Sequence, residues 1–293
     1  MPLNITISGS TGLIGRALTD HFCGQGHKVI PLGHLPPWSL HMLQAKLEAQ
    51  DIVIHLAGVN ISERWTKDYK MLIQSSRVET TCLLSKALVS LKQKPRLYIC
   101  ASAIGYYGNH PAGIVLDEDS PVGEGFLPEV CRQWEDATLS AFHAGIRVVN
   151  MRTAVVLGKN GGALARMLPI FNLGLGGILG NGEQMISWIA LDEIPLIVDH
   201  IIQTGSLSGP VNVVAPEVLS NREFTSILSE IIKRPAFLPL PAWGVKLLFG
   251  EMGQQLLLEG AQVRPARLQS SGYVFKYPDI RSVMQKVLNS AMY

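Results

Sequence analysis

Asn4-Ile5-Thr6-Ile7-Ser8-Gly9-Ser10-Thr11-Gly12-Leu13-Ile14-Gly15 is the stretch on which the reading of this chain turns. Strand-forming residues lead into three glycines spaced three apart, and Arg16-Ala17-Leu18-Thr19-Asp20-His21-Phe22 then carries apolar residues at helical spacing. Strand, glycine turn and helix open a dinucleotide-binding βαβ unit. Gly9 lets the chain turn tightly off the strand. Gly12, with no Cβ, lets backbone approach a pyrophosphate, and Gly15 lets the helix pack close to the sheet. Free N–H groups and a partial positive charge at the helix N-terminus face the phosphates. The spacing is G-x-x-G-x-x-G rather than G-x-G-x-x-G, so its place between strand and helix carries the reading. Thr11, Leu13 and Ile14 belong to the same cradle.

The chain has 293 residues, enough for one large or two modest domains around a sizeable core. It is 47% apolar and 16% charged, the composition of a globular protein with much buried surface. A net charge of +2 without runs of like charge argues against a nucleic-acid or membrane partner. Cys23, Cys82, Cys100 and Cys131 form no C-x-x-C and read as reduced thiols, not as a metal site or disulfide framework. The sequence opens on a strand with no basic-then-apolar leader, and no apolar run is long enough to span a bilayer. The expectation is a cytoplasmic protein.

Beyond the first helix, Lys28 to Leu32 reads as the second strand, whose end meets an adenosine ribose in such folds. An acid there favours NAD; Gly33-His34 stands there instead, which leans to NADP, with His34 either a contact or a plain loop residue. Leu40 to Gln50 reads as a helix. Asp51-Ile52-Val53-Ile54-His55-Leu56-Ala57-Gly58 reads as a buried parallel strand whose small last residues let a cofactor pass close. His55 within it reads as a core histidine. Asp68 to Leu91 reads as a long helix carrying Arg77, which faces either phosphates or solvent. The next strand, Arg96 to Ser102, includes Ala101 and runs into Ser102-Ala103-Ile104-Gly105-Tyr106-Tyr107-Gly108, where a ligand crevice lies in open α/β sheets. Asp117 to Pro121 reads as a solvated acidic turn, Glu129 to His143 as a helix, and Arg147 to Arg152 as a strand continued by Thr153 to Gly158. Glycines at 161, 162, 174, 176, 177, 180 and 182 mark a loop-rich stretch. Asp192 reads as the cap of a following helix, and Val211 to Val214 as a late strand.

Taken in chain order, the glycine turn, His55 to Gly58, Ser102 to Gly108, Arg152 to Gly158 and Trp188 to Asp192 resemble an extended short-chain dehydrogenase/reductase over about residues 3–215. More narrowly, Ser102 to Gly108, Gly174-Leu175-Gly176-Gly177, Gly182-Glu183-Gln184, Ser187-Trp188-Ile189, Val263-Arg264-Pro265 and Gly272-Tyr273-Val274-Phe275 resemble an atypical epimerase-like subfamily with its own short C-terminal domain. The resemblance implies an α/β fold: a Rossmann-type doubly wound parallel sheet over 1–215, with 159–190 on the substrate side, and a smaller C-terminal substrate domain over 216–293. It implies a bound nicotinamide dinucleotide, NADP with NAD as the alternative. The candidate contacts are Gly9, Thr11, Gly12, Leu13, Ile14, Gly15, His34, Leu56, Ala57, Gly58, Arg77 and Ala101. Arg152 and Trp188 are the candidate substrate contacts for a small molecule, and a homodimer would pair through the segments around 68–91 and 126–143.

Members of the family typically use Ser with Tyr-x-x-x-Lys on one helix. Here that helix reads Phe126-Leu127-Pro128-Glu129-Val130-Cys131-Arg132-Gln133-Trp134-Glu135, which puts Leu127 and Cys131 at the Tyr and Lys positions. Leucine has no proton to give, and cysteine lacks the fixed cation. Cys131 reads as a buried small residue in preference to a nucleophile, because no His partner is in view. Ser102, Tyr106 and Tyr107 are then the candidate catalytic residues, with the tyrosines either exchanging a proton or stacking in the pocket. The expected function is an NAD(P)-dependent epimerase or oxidoreductase acting on a nucleotide sugar or another carbonyl or carbinol compound. The alternative is a dinucleotide-binding sensor or scaffold with no turnover.

Overall fold

Strands buried on both faces build the sheet first. Ile5, Ile7, Ile52, Ile54, Leu97 and Ile99 are fully buried, and each lies on a short strand that ends near a glycine or a small residue. The structure is a computed structural model that describes residues 1–33, 38–158 and 161–289. The first half runs β1 (Asn4–Ser8), α1 (Leu13–Gly24), β2 (Lys28–Pro31), α2 (Leu40–Leu47), β3 (Ile52–His55), α3 (Lys67–Ser90) and β4 (Leu97–Ala103). A 3₁₀ turn (Ile104–Tyr107) leads to β5 (Val115–Leu116), α4 (Phe126–Asp136), α5 (Leu139–His143) and β6 (Arg147–Thr153). There follow β7 (Val155–Gly158), α6 (Gly162–Asn172), β8 (Met185–Ala190), α7 (Ile194–Gln203) and β9 (Gly209–Val213). The chain closes with β10 (Val218–Ser220), α8 (Asn221–Ile232), α9 (Ala242–Gly253), β11 (Gln262–Val263), α10 (Ala266–Ser270) and α11 (Ile280–Asn289).

The main sheet is parallel, in the order β2-β1-β3-β4-β6-β9. From β1 the chain steps outward to β2, then returns past β1 to β3. The direction of winding therefore reverses between β1 and β3, and in open α/β sheets ligands bind beyond the strand ends at that switch. Helices cover both faces. Leu18 and Phe22 of α1 and Ile194, Ile197, Val198 and Ile201 of α7 fill one side. Leu43 and Leu47 of α2, with Leu84, Ala87 and Leu88 of α3, fill the other. Short polar side chains start α2, α3 and α8: Ser39 accepts from Met42 N, Thr66 accepts from Tyr69 N, and Ser220 and Glu223 form a reciprocal capping box.

Four sequence expectations change in the fold. Residues 147–158 are two strands in different sheets: β6 is in the main sheet, and β7 pairs with β8, which also pairs antiparallel with β10. The chain leaves the main sheet at Ala154, whose N–H still donates to Val213 O. The helix expected over 129–143 is broken between α4 and α5, where Thr138 Oγ1 donates to Glu135 O. The glycine-rich stretch contains α6, which buries Leu164 and Phe171 despite Pro169 within it. Asp192 does not cap α7. Its carboxylate accepts from Lys286 Nζ at 2.6 Å, and α7 starts without a side-chain cap. Its neighbour Glu193 is fully buried and ties down the tail, accepting from Tyr273 Oη and from the N–H groups of Lys276 and Tyr277.

His55 is a core histidine. It is fully buried, Ser8 Oγ lies 2.6 Å from its Nδ1, and its Nε2 has no partner among the described residues. Burial pushes its imidazole down to about 4. In the unfolded chain it titrates near about 6.5, so acid protonates the unfolded state first and stability falls as pH drops from 6.5 towards 4. This group alone is expected to remove roughly 3 kcal/mol across that window. Denaturant titrations of wild type and His55→Gln at neutral and acid pH check it. A flatter pH dependence in the variant is the expected result, and equal slopes would contradict it.

Candidate dinucleotide and reaction site

Two of the three glycines of the first turn, Gly9 and Gly15, are required by contact. Gly9 has φ 70°, and a Cβ on it would lie 3.0 Å from Ala57 N, so the first turn and the end of β3 touch backbone to backbone. A Cβ on Gly15 would lie 2.1 Å from Gly9 O. Gly12 stands at the N-cap of α1, exposed and without any side-chain cap, which leaves the first N–H groups of the helix open at the switch point. Thr11 is exposed beside it, and Leu13 and Ile14 are half-buried. The Leu13 side chain packs against Gly161, where a Cβ would come within 2.9 Å of it, so the start of α6 closes over the turn. This cradle fits a pyrophosphate: uncapped donors, a positive helix end, and no side chain in the way.

Leu56, Ala57 and Gly58 line the edge of the cradle at the end of β3. Arg77 sits directly behind Gly58, where a Cβ would meet the guanidinium at 3.2 Å. Its donors reach the carbonyls of Ile73 and Val59, and it lies 5.1 Å from the Trp134 ring. Arg77 therefore braces the loop after β3 from within. Burial works against its charge and lowers its pKa. Trp134 is buried with its Nε1 donating to Thr81 Oγ1, so it belongs to the core and not to the cleft. His34 lies outside the described residues, and Ala101 is half-buried on β4.

The polar heart of the molecule is a row across three strands. Ser102 of β4 is in register with Arg152 of β6, and Arg152 with Asn212 of β9, so the three share one face of the sheet near its carboxyl edge. Arg152 is 3% exposed and makes a bidentate pair with Glu135 of α4, 2.8 Å on each arm. Ser102 Oγ donates to the same carboxylate at 2.7 Å. Arg152 also donates to Tyr107 Oη at 3.0 Å, and Tyr107 Oη donates to Asn212 Oδ1 at 2.7 Å. Asn212 N donates to Glu118 Oε1, and Asn212 Nδ2 to Arg264 O. Burial works against the Arg152 charge, but the hydrogen bonds and charge of Glu135, with Tyr107, outweigh it and raise its pKa.

The network sorts the candidates. Ser102, Tyr107 and Arg152 come together, but all three are buried. Burial pushes the Tyr107 phenol up to about 12 against the opposing pull of Arg152. Tyr106 is half-buried, with the Arg152 guanidinium 3.5 Å from its ring centre. Leu127 and Cys131 do face the 3₁₀ turn, both within 3.8 Å of a Cβ placed on Gly105. Burial, and then the Glu135 charge, push the Cys131 thiol up to about 12, so no cation and no thiolate stands at that position. Trp188 is fully buried in the core, so its ring packs β8 and touches no cleft.

Sequence reasoning missed Glu135, Glu118 and Asn212 as members of this network. Glu118 is not in a solvated turn: it is 4% exposed and accepts from Asn212 N and Arg267 N. The available signal was Arg152, because an arginine on a buried strand requires a carboxylate partner.

Residues 5–214 match the NAD dependent epimerase/dehydratase family, and residues 240–287 match a domain of unknown function, DUF1731. The chain is 37% identical over 287 residues to the epimerase family protein ML0860 of Mycobacterium leprae, covering 94% of this chain and 92% of that protein. It is 33% identical over 295 residues to the epimerase family protein SDR39U1 of Homo sapiens, covering 98% of this chain and all of that protein. The crystal structure of the human protein (isoform 2) with NADPH superposes with a TM-score of 0.89 over 98% of this chain and 99% of that one. The chain thus belongs to the NAD-dependent epimerase/dehydratase family.

Proposed function

We propose that this chain uses NADPH to interconvert a carbinol and a carbonyl in a small molecule, as an epimerase or reductase, with a nucleotide sugar as the first substrate class to test. The observation that carries the reading is the uncapped glycine cradle at the switch point, on the same sheet edge as the Ser102–Glu135–Arg152 row. The solved relative with NADPH supports the choice of cofactor. A bound nicotinamide supplies a reversible hydride donor and acceptor.

The chain's own residues divide the remaining work. The N–H groups at the start of α1 hold the pyrophosphate, and Arg77 fixes the loop that borders it. Ser102, Glu135 and Arg152 form a rigid floor whose donors and acceptors are mutually satisfied. Tyr106 is the member of the Ser102–Tyr107 group that retains solvent access, and it holds the exchangeable proton at Oη. Arg152 fixes the orientation of its ring. Exposed Met71 and Leu72 on α3, with Leu139 and Phe142 on α5, support a homodimer through these helices.

The test is turnover of carbonyl substrates with NADPH. Tyr106→Phe is expected to lower kcat about 10²-fold or more while leaving NADPH affinity within about twofold. Full turnover in Tyr106→Phe would place the proton elsewhere. Tight NADPH binding without turnover of any substrate is the result expected of a dinucleotide sensor instead.

A further inference from the structure

The overall charge of +2 conceals one strongly asymmetric surface. Residues 166–182 and 231–250 contain Arg166, Lys233, Arg234 and Lys246 but no Asp or Glu. The two segments are neighbours in space. Leu238 N donates to Gly176 O, Leu240 N donates to Ile178 O, and a Cβ on Gly174 would lie 3.5 Å from Pro235. Along them large apolar side chains face solvent: Ile170, Leu173 and Leu175 on the first, Phe237, Leu238, Trp243, Leu247 and Leu248 on the second. Leu173, Phe237, Trp243 and Leu247 are each more than 70% exposed.

Helix α9 shows the pattern most clearly. It buries Gly244 and Val245 and leaves Trp243, Lys246 and Leu247 outside at i, i+3 and i+4, one face of the helix. Lys233, Arg234 and Lys246 are exposed and form no ion pair among the described residues, whereas Glu230 is held by Arg281 and Glu251 by Lys70. An apolar patch of this kind requires a covering. A second copy of the same patch would bring its cations against their own equivalents. Tryptophan, leucine and phenylalanine set among unpaired cations, with the flanking Glu230 and Glu251 already paired to Arg281 and Lys70, match a surface that is apolar below and anionic at the top.

We propose that this edge, formed by the end of α6, the 233–240 segment and α9, docks on an anionic lipid bilayer. Trp243, Leu247 and Phe237 enter the headgroup boundary, and Lys233, Arg234 and Lys246 meet the anionic headgroups. The contact is peripheral, since no helix among the described residues is long and apolar enough to cross a membrane. It is independent of the NADPH reading, because none of these residues touches the glycine cradle.

The chain carries its own probe. Trp243 is 71% exposed, whereas Trp38, Trp65, Trp134 and Trp188 are each 9% exposed or less. The experiment is co-sedimentation and tryptophan emission of the full chain with phosphatidylcholine vesicles, with and without phosphatidylserine. The wild type is expected to pellet with the anionic vesicles, shift its emission to the blue, and lose both effects at high salt. Lys233→Glu/Lys246→Glu is expected to bind more than about tenfold more weakly. Trp243→Phe is expected to pellet but lose the blue shift, and Leu247→Ser/Phe237→Ser to stay in the supernatant with an unchanged melting temperature. Wild type that ignores anionic vesicles overturns the proposal, as does equal binding to neutral vesicles by wild type and the charge-reversed variant. Self-association abolished by Leu247→Ser, without vesicle binding, would show a second copy covering the patch.

Discussion

Gly15→Ala is expected to abolish NADPH binding and to destabilise the fold together. The added Cβ would lie 2.1 Å from Gly9 O and 2.7 Å from Ser10 Cα, and both obstacles are backbone. No rotamer change relieves such a contact, so either α1 moves away from the turn or the turn moves away from β3. Gly9 has little room to yield, because it holds a positive φ and even a Cβ placed on it would lie only 3.0 Å from the backbone of Leu56 and Ala57. Overpacking a well-packed site costs about 1–3 kcal/mol where side chains can adjust, and roughly the upper end is expected here. The phosphate donors at the start of α1 move with the helix, so affinity for NADPH is expected to fall by more than about 100-fold. Thermal melts and NADPH titrations of the same preparation check both effects. The informative control is Gly24→Ala at the far end of α1, where a Cβ meets nothing within 4 Å. Weak binding in both variants, or normal binding in Gly15→Ala, would contradict the close-approach account.

Arg152→Met is expected to be the most damaging change on the sheet. It leaves Glu135 in the interior without its bidentate partner, and leaves Tyr107 without a donor to its hydroxyl. Removing one member of a buried ion pair costs about 3–5 kcal/mol, because the remaining charge stays desolvated. Replacing both partners avoids that penalty, so Arg152→Met/Glu135→Leu is expected to be more stable than Arg152→Met alone. Denaturant unfolding of the two single variants and the double variant closes the cycle. A double variant as unstable as the sum of the singles would mean that the pair acts through packing and not through charge. The exposed pair Arg281–Glu230 has similar distances, and Arg281→Ala is expected to change stability little, since solvent already screens it.

The two halves of the site were not equally legible in the sequence. The glycine turn was, because its signal is local: Gly9, Gly12 and Gly15 act within one strand–turn–helix unit, and the fold keeps that unit intact. The parallel core strands were legible for the same reason, as short apolar runs bounded by small residues. The polar row was not. Ser102, Arg152 and Asn212 are more than a hundred residues apart end to end, and only the register of β4, β6 and β9 brings them together. Glu135 and Glu118 enter from α4 and from the acidic turn, where local pattern shows only a charged helix end and a solvated loop. Helix α6 was hidden because glycine weakens every helical propensity argument, yet Leu164 and Phe171 still find the core. The break at Ala154 was hidden because β6 and β7 both carry paired valines and follow each other with only Ala154 between them, and the switch between sheets has no residue signature of its own.

The proposed dinucleotide binding rests on the uncapped start of α1, lined by Gly9, Gly12 and Gly15. The most direct measurement is a calorimetric titration of the wild-type chain with NADPH, repeated with NADH. A single saturable site for NADPH is expected, and its loss in Gly15→Ala. No saturable heat with either dinucleotide would contradict it, and so would binding that survives unchanged when Gly15 carries a side chain.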